Sequence, residues 1–162
     1  MEDIFFMYNT FNLDLQHGKD GEERAIEILN AYGWSVIDLR ENAASRYADI
    51  DFCATRAGDR RTIEIKNSIA TLSTGNVALE EVNIHNATHG FKGWFAYCAA
   101  DFIGFIVGND LHIVPLQCLR EAAKHLCLRT LQVYDGTIKL LPLDKLKEVE
   151  GYCLLRGEHK DV

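Results

Sequence analysis

Residues 47–67 read YADIDFCATRAGDRRTIEIKN, two strand-forming runs on either side of a turn at Gly58. Side chains alternate between the faces of a strand. In the first run Ile50, Phe52 and Ala54 share one face, and Asp49, Asp51 and Cys53 share the other. In the second, Ile63 and Ile65 face one way and Glu64 and Lys66 the other. Pairing of 47–55 with 60–66 therefore sets Asp51 beside Glu64 and Lys66, on a ribbon whose opposite face is apolar and has to be covered. Two carboxylates brought that close repel unless a proton or a cation intervenes.

Two readings fit this pattern. One is an exposed hairpin face laced by cross-strand ion pairs, which is common. The other is a site. A hard cation such as Mg²⁺ takes oxygen ligands and keeps several waters, so two carboxylates and a main-chain carbonyl suit it. Such an ion polarises a phosphoryl oxygen and lowers the pKa of bound water. A neighbouring lysine can orient that water and stabilise developing negative charge. These are the parts needed for phosphodiester hydrolysis.

The rest of the chain supplies a domain around the hairpin. Its 162 residues suit a single domain over 1–155, with a disordered tail over 156–162. No run approaches the roughly 18 apolar residues of a membrane span. The start, MEDIFF, lacks the basic region of a signal peptide, so the expected location is cytoplasmic, with no membrane partner. The five cysteines are widely spaced with no CxxC pair, which predicts reduced, packed thiols. His85, His89 and Cys98 lack a fourth ligand at zinc spacing. The net charge of −7 weighs against nonspecific attraction to nucleic acid. Acids gathered around a cation, however, are compensated where they stand.

Along the chain, GKDGEERAIEILNAYG (18–33) predicts a helix with Ala25, Ile26 and Leu29 on one stripe and a stop at Gly33. Glu22 falls on the centre line of that stripe, either as a partner of the helix dipole or reaching over the sheet towards the carboxylates. Residues 34–39 read as a strand, and 76–82 suit a helix or a strand equally. Residues 93–116 read as further strands with a turn at 108–110, followed by a helix over 116–127. A strand pair around 135–136 and a short helix within 143–149 complete an α/β arrangement, a mixed central β-sheet flanked by helices.

GEERAIEILNAYGW, then DID, then IEIK, whose Glu64 lies thirteen residues after Asp51, resembles the PD-(D/E)XK nuclease superfamily. That family's pattern is a helix carrying Glu, a strand carrying Asp and a strand carrying Glu-x-Lys. The matching residues are Glu22, Asp51, Glu64 and Lys66. The leading proline is replaced by Ala48 or Ile50, which leaves Asp49 a rival to Asp51; the spacing to Glu64 favours Asp51. The run TGNVALEEV…GFKGWFAYCAADFIGFIV is similar to small phage-type members and favours a strand over 76–82.

The resemblance implies a restriction-endonuclease-like fold and a Mg²⁺- or Mn²⁺-dependent nuclease acting on nucleic acid, with DNA the expected substrate and 5′-phosphate ends the product. It implies metal ligation by Asp51, Glu64 and the Ile65 carbonyl, with Glu22 completing the cluster through water and Lys66 positioning the attacking water. Arg60, Arg61 and Lys92 are candidate phosphate contacts, with Tyr47 a further one beside the site. Trp34 and Trp94 are expected in the core, and Glu80 and Asp101 have no assigned role. A homodimer is compatible with all of this. The alternative is a non-catalytic binding protein or DNA mimic on the same scaffold, suited by its acidic charge.

Overall fold

This computed structural model describes residues 2–158, with side chains from residue 17 onward. The helix α1 (Glu2–Ala31) leads into β1 (Ser35–Asp38) through Gly33, whose φ of 81° lets the chain turn out of the helix. A short α2 (Ala43–Tyr47) precedes the hairpin β2 (Phe52–Arg56) and β3 (Asp59–Asn67). Then come α3 (Thr71–Thr74), β4 (Asn76–Asn83), a 3₁₀ turn at Ala87–His89, and α4 (Trp94–Tyr97). The hairpin β5 (Phe102–Val107) and β6 (Asp110–Pro115) is followed by α5 (Leu116–His125). The strands β7 (Arg129–Val133) and β8 (Gly136–Pro142), the helix α6 (Leu143–Lys147) and β9 (Cys153–Leu155) close the fold.

Six strands form the central sheet in the order β1-β2-β3-β5-β6-β9. It is mixed, as expected: β3 and β5 run parallel, and the other neighbours run antiparallel. A separate antiparallel sheet, β4-β8-β7, covers part of the molecule. The central sheet is buried on both faces. Phe52, Ala54, Ile63 and Ile65 pack with Ala25, Ile28 and Leu29 of α1. Ile103, Phe105 and Val114 pack on the other side with Trp94, Leu116, Leu119, and Val77 and Leu79 of the second sheet.

Several sequence expectations are corrected. The helix begins at Glu2 rather than near residue 18, because Gly18 and Gly21 are carried inside it. At Gly21 a Cβ would lie 2.6 Å from the Cβ of Asn67, so glycine is what lets the end of β3 sit against the helix. Asn67 fixes that approach by donating from Nδ2 to the His17 carbonyl. The buried stripe runs through Ala25, Ile28 and Leu29, with Ile26 only partly covered, so Glu22 stands at its edge rather than on its centre line.

The first hairpin strand starts at Phe52 rather than 47. Asn42 caps α2 by accepting from the Ser45 N–H (3.0 Å), and 43–47 turn helical before the strand can begin. Trp94–Tyr97 is a helical turn rather than strand, and α5 stops at His125, two residues short of the expected end. β4 is a strand, as the resemblance favoured. β9 carries no sequence signal strong enough to stand out from the tail.

All five cysteines are free thiols. No helix among the described residues is long and apolar enough to cross a membrane. Of the expected tail 156–162, Arg156 N–H donates to the Tyr32 hydroxyl, Gly157 N–H to Asp110 Oδ1, and the Glu158 carbonyl accepts from Arg24. Residues 159–162 lie outside the described residues.

Candidate functional site

Asp51 is the residue before β2 and extends its pairing: its N–H donates to the Ile63 carbonyl (3.0 Å). Its Oδ2 accepts from the Ile65 N–H at 2.8 Å, which pins the carboxylate against β3. On β3, Ile63 and Ile65 enter the core beneath α1, and alternation turns Glu64 and Lys66 to the opposite face. The sheet is covered there too, so Glu64 is 4% exposed. Lys66 Nζ donates to Glu64 Oε1 (2.5 Å) and to Asp49 Oδ2 (3.3 Å). It also lies 5.3 Å from the centre of the Trp94 ring, whose electron-rich face favours a cation.

Asp49 reaches this cluster by a route no strand pattern describes. It sits in the turn after α2 at φ 56°, a left-handed conformation that Asp tolerates better than most residues. The turn is held from behind: Cys98 Sγ–H donates to the Asp49 carbonyl (3.1 Å) and Ala99 N–H to the Ala48 carbonyl (2.8 Å). Asp49 and Asp51 are therefore both part of the cluster, one on Lys66 and one beside Glu64.

Beside the cluster opens a cleft of about 830 Å³, lined by Glu22 of α1, the end of β1, the segment 46–51 and Glu64. Eight carboxylates line it against three cations, Lys19, Arg40 and Arg46. Arg40 binds Glu22 (2.7 Å), Glu23 (2.8 Å) and Asp38 (2.5 Å) at once, and so fixes Glu22 at the cleft wall. Its side-chain bond to Asp38 holds that carboxyl below its ordinary range.

Burial is the main force on the two central acids. It pushes Asp51 up to about 6, opposed by the bond from Ile65 and reinforced by the charge of Glu22. It pushes Glu64 up to about 8, opposed by Lys66 and reinforced by Asp51 and Asp49. Burial disfavours the Lys66 ammonium as well, but Glu64 and Asp49 outweigh it and hold the lysine above its ordinary value. Asp49, Asp51 and Glu64 around one ammonium leave two negative charges over when all are ionised. That surplus equals the charge of one divalent cation. Hard oxygen donors short of positive charge fit Mg²⁺ or Mn²⁺. Among the described residues no group of three or more His, Cys, Asp or Glu side chains is placed to hold a metal ion.

No family model matches this sequence, and no curated protein matches it. Among solved structures, that of a bacterial homing endonuclease, I-Ssp6803I, superposes with a TM-score of 0.47 at 17% identity, over 76% of this chain and 71% of that one. A likeness of that size carries no argument here, and the site is read from its own geometry.

The remaining expectations divide. Arg60 and Arg61 lie towards the turn end of the hairpin and away from the cleft lining, where Arg60 donates to Cys53 Sγ and Arg61 pairs with Asp59. Lys92 is exposed beyond β4 and does not line the cleft either. Trp94 is core, and Trp34 is half-buried under the Arg56 guanidinium. Glu80 accepts from the Trp94 N–H (3.3 Å) and orients α4, and so the ring beside Lys66. Asp101 accepts from Thr62 N–H (2.8 Å) and hydroxyl (2.9 Å), joining β3 to the start of β5. Arg40 went unread in the sequence. Its only signal is the Asp38-Leu39-Arg40 spacing at the end of β1, which gains meaning once α1 lies alongside.

Proposed function

We propose that this protein is a metal-dependent nuclease of the PD-(D/E)XK type, with the restriction-endonuclease-like fold, that hydrolyses phosphodiester bonds of DNA. The observation that carries this reading is Lys66 bonded to both Glu64 and Asp49, with Asp51 pinned next to Glu64 at the edge of an open cleft. Asp51, Glu64 and the Ile65 carbonyl would hold Mg²⁺ or Mn²⁺, and Glu22, set in place by Arg40, would complete the acidic cluster. When bound, the ion supplies Lewis-acid polarisation of the phosphoryl oxygen and a more acidic water. Lys66 keeps its proton under the pull of Glu64 and Asp49. Placed against Glu64 and Asp49, it would orient the attacking water and stabilise the oxyanion.

The test is single-turnover cleavage of labelled linear, supercoiled and branched DNA, and of RNA, with Mg²⁺, Mn²⁺ or EDTA. Wild type is expected to cut with metal and not without it. Lys66→Ala is expected to slow cleavage by about 10²–10³, the cost of losing one preorganised charge at the reacting centre, with the fold intact by circular dichroism. A wild-type protein that cuts none of these substrates rules the reading out.

One observation favours a second reading, a non-catalytic partner or DNA mimic. Carboxylates outnumber cations eight to three along the cleft, which repels a polyanion unless metal is bound. Saturable binding of a basic protein, with no cleavage in any metal, is the outcome that would select it.

A further inference from the structure

Next to the acidic cleft is a second recess of about 400 Å³, lined by Arg46, Tyr47, Asn86, Thr88, His89 and Tyr97 among others. Arg46 lines both. Three rings are layered in this recess. His89 stacks on Tyr97 with centroids 3.9 Å apart, and Tyr47 lies over His89 at 4.5 Å. The stack is built rather than incidental. His89 has an acceptor beside each nitrogen, the Tyr47 carbonyl at Nε2 (2.8 Å) and Asn86 Oδ1 at Nδ1 (3.0 Å), and the neutral ring donates to one of them according to its tautomer. Asn86 is itself anchored on the Lys92 carbonyl (2.9 Å).

The stack ends in the open. Tyr47 is 59% exposed, an aromatic surface that the fold supports from beneath and leaves uncovered above. Arg46, the residue before it, has no ion-pair partner among the described residues, whereas Arg40 on the same cleft is taken up by three carboxylates. An uncommitted guanidinium beside an exposed ring, one step from a cluster suited to phosphoryl chemistry, matches a single nucleotide: phosphate on the arginine, base on the tyrosine. A base within a continuous duplex has both faces covered by its neighbours and cannot add a fourth layer to this stack. An unpaired base can.

We propose that Tyr47, backed by His89 and Tyr97, seats an unpaired nucleobase, with Arg46 on its phosphate. The preferred substrate is then nucleic acid unstacked next to the bond to be cut, as in single strands, flaps or junctions. This rests on the nuclease reading for its consequence in cleavage, but not for the binding itself.

Binding is measured by fluorescence anisotropy in EDTA and again with Ca²⁺, an oxygen-seeking cation that offsets the surplus carboxylates of the cleft, using a short single-stranded oligonucleotide and the fully paired duplex of the same sequence. A second oligonucleotide carries 2-aminopurine, whose emission is quenched by stacking. Tyr47→Ala is expected to weaken single-strand binding about tenfold or more, with no comparable loss on duplex, and to abolish the quenching. Tyr47→Phe is expected to restore both, because the ring rather than the hydroxyl makes the contact. Equal losses on both substrates, no loss on single strands, or no binding of either overturns the proposal. Metal-dependent cleavage run in parallel separates the two readings. Cutting with no dependence on Tyr47 removes the base seat and keeps the nuclease; Tyr47-dependent binding without cutting does the reverse.

Discussion

An acid buried beside other acids holds its proton longer in the fold than in the open chain, and Asp51 and Glu64 are both in that position. The linkage follows directly. Between about pH 4, where the free carboxyls ionise, and 6 to 8, where these two do, the folded state carries protons that the unfolded state has lost. Their contribution to stability is complete below that window and disappears as pH rises through it. Asp51→Asn keeps an oxygen for the Ile65 N–H but removes the charge. In EDTA it is expected to be more stable than wild type at pH 8, by on the order of 2 kcal/mol, and no more stable near pH 4. Urea denaturation at the two pH values decides this; a gain of equal size at both would show that charge is not the cause. At this scale the sequence was informative where alternation applied, since it placed Asp51, Glu64 and Lys66 on one face. Asp49 arrives through a left-handed turn and Arg40 by the reach of a long side chain across to α1, and neither obeys a period.

Among the elements, α1 shows how packing and propensity compete. Glycine costs a helix interior roughly 1 kcal/mol relative to alanine. At Gly18 nothing among the described residues lies within 4 Å of where a Cβ would stand, while at Gly21 the Asn67 side chain occupies that place, with Cβ at 2.6 Å. Gly18→Ala is therefore expected to stabilise by up to about 1 kcal/mol. Gly21→Ala is expected to destabilise by about 1–3 kcal/mol despite its better propensity, because β3 must shift. Thermal or urea unfolding of both variants tests the pair, and a gain at Gly21 would mean that Asn67 yields freely. The same competition explains which elements the sequence disclosed. The β2–β3 and β5–β6 hairpins and β8 carry local turn and alternation signals. The early start of α1 is masked by its glycines, 43–47 is decided by a cap at Asn42, and β9 exists because β6 offers it an edge.

At the scale of the molecule, a net charge of −7 coincides with a cleft where carboxylates prevail, and the protein carries that repulsion whenever no cation is bound. General screening and specific binding relieve it differently. Monovalent salt screens every exposed pair, with a Debye length near 10 Å at about 0.1 M, but reaches the buried Asp51–Glu64 pair poorly. A divalent ion held by that pair binds the folded state alone and stabilises it by RT ln(1 + [L]/Kd), about 2.7 kcal/mol at a hundred times Kd. For a chain of this size that is a rise in Tm of roughly 5–10 °C. Mg²⁺ is therefore expected to raise Tm with a saturating dependence on concentration, well above NaCl matched for ionic strength. Asp51→Asn is expected to lose the saturating part and keep the response to NaCl. Thermal unfolding followed by circular dichroism, with calorimetric titration of Mg²⁺ into both proteins, separates the cases. An equal Mg²⁺ response in the two would place the ion elsewhere on the acidic surface, and with it the chemistry assigned to Asp51 and Glu64.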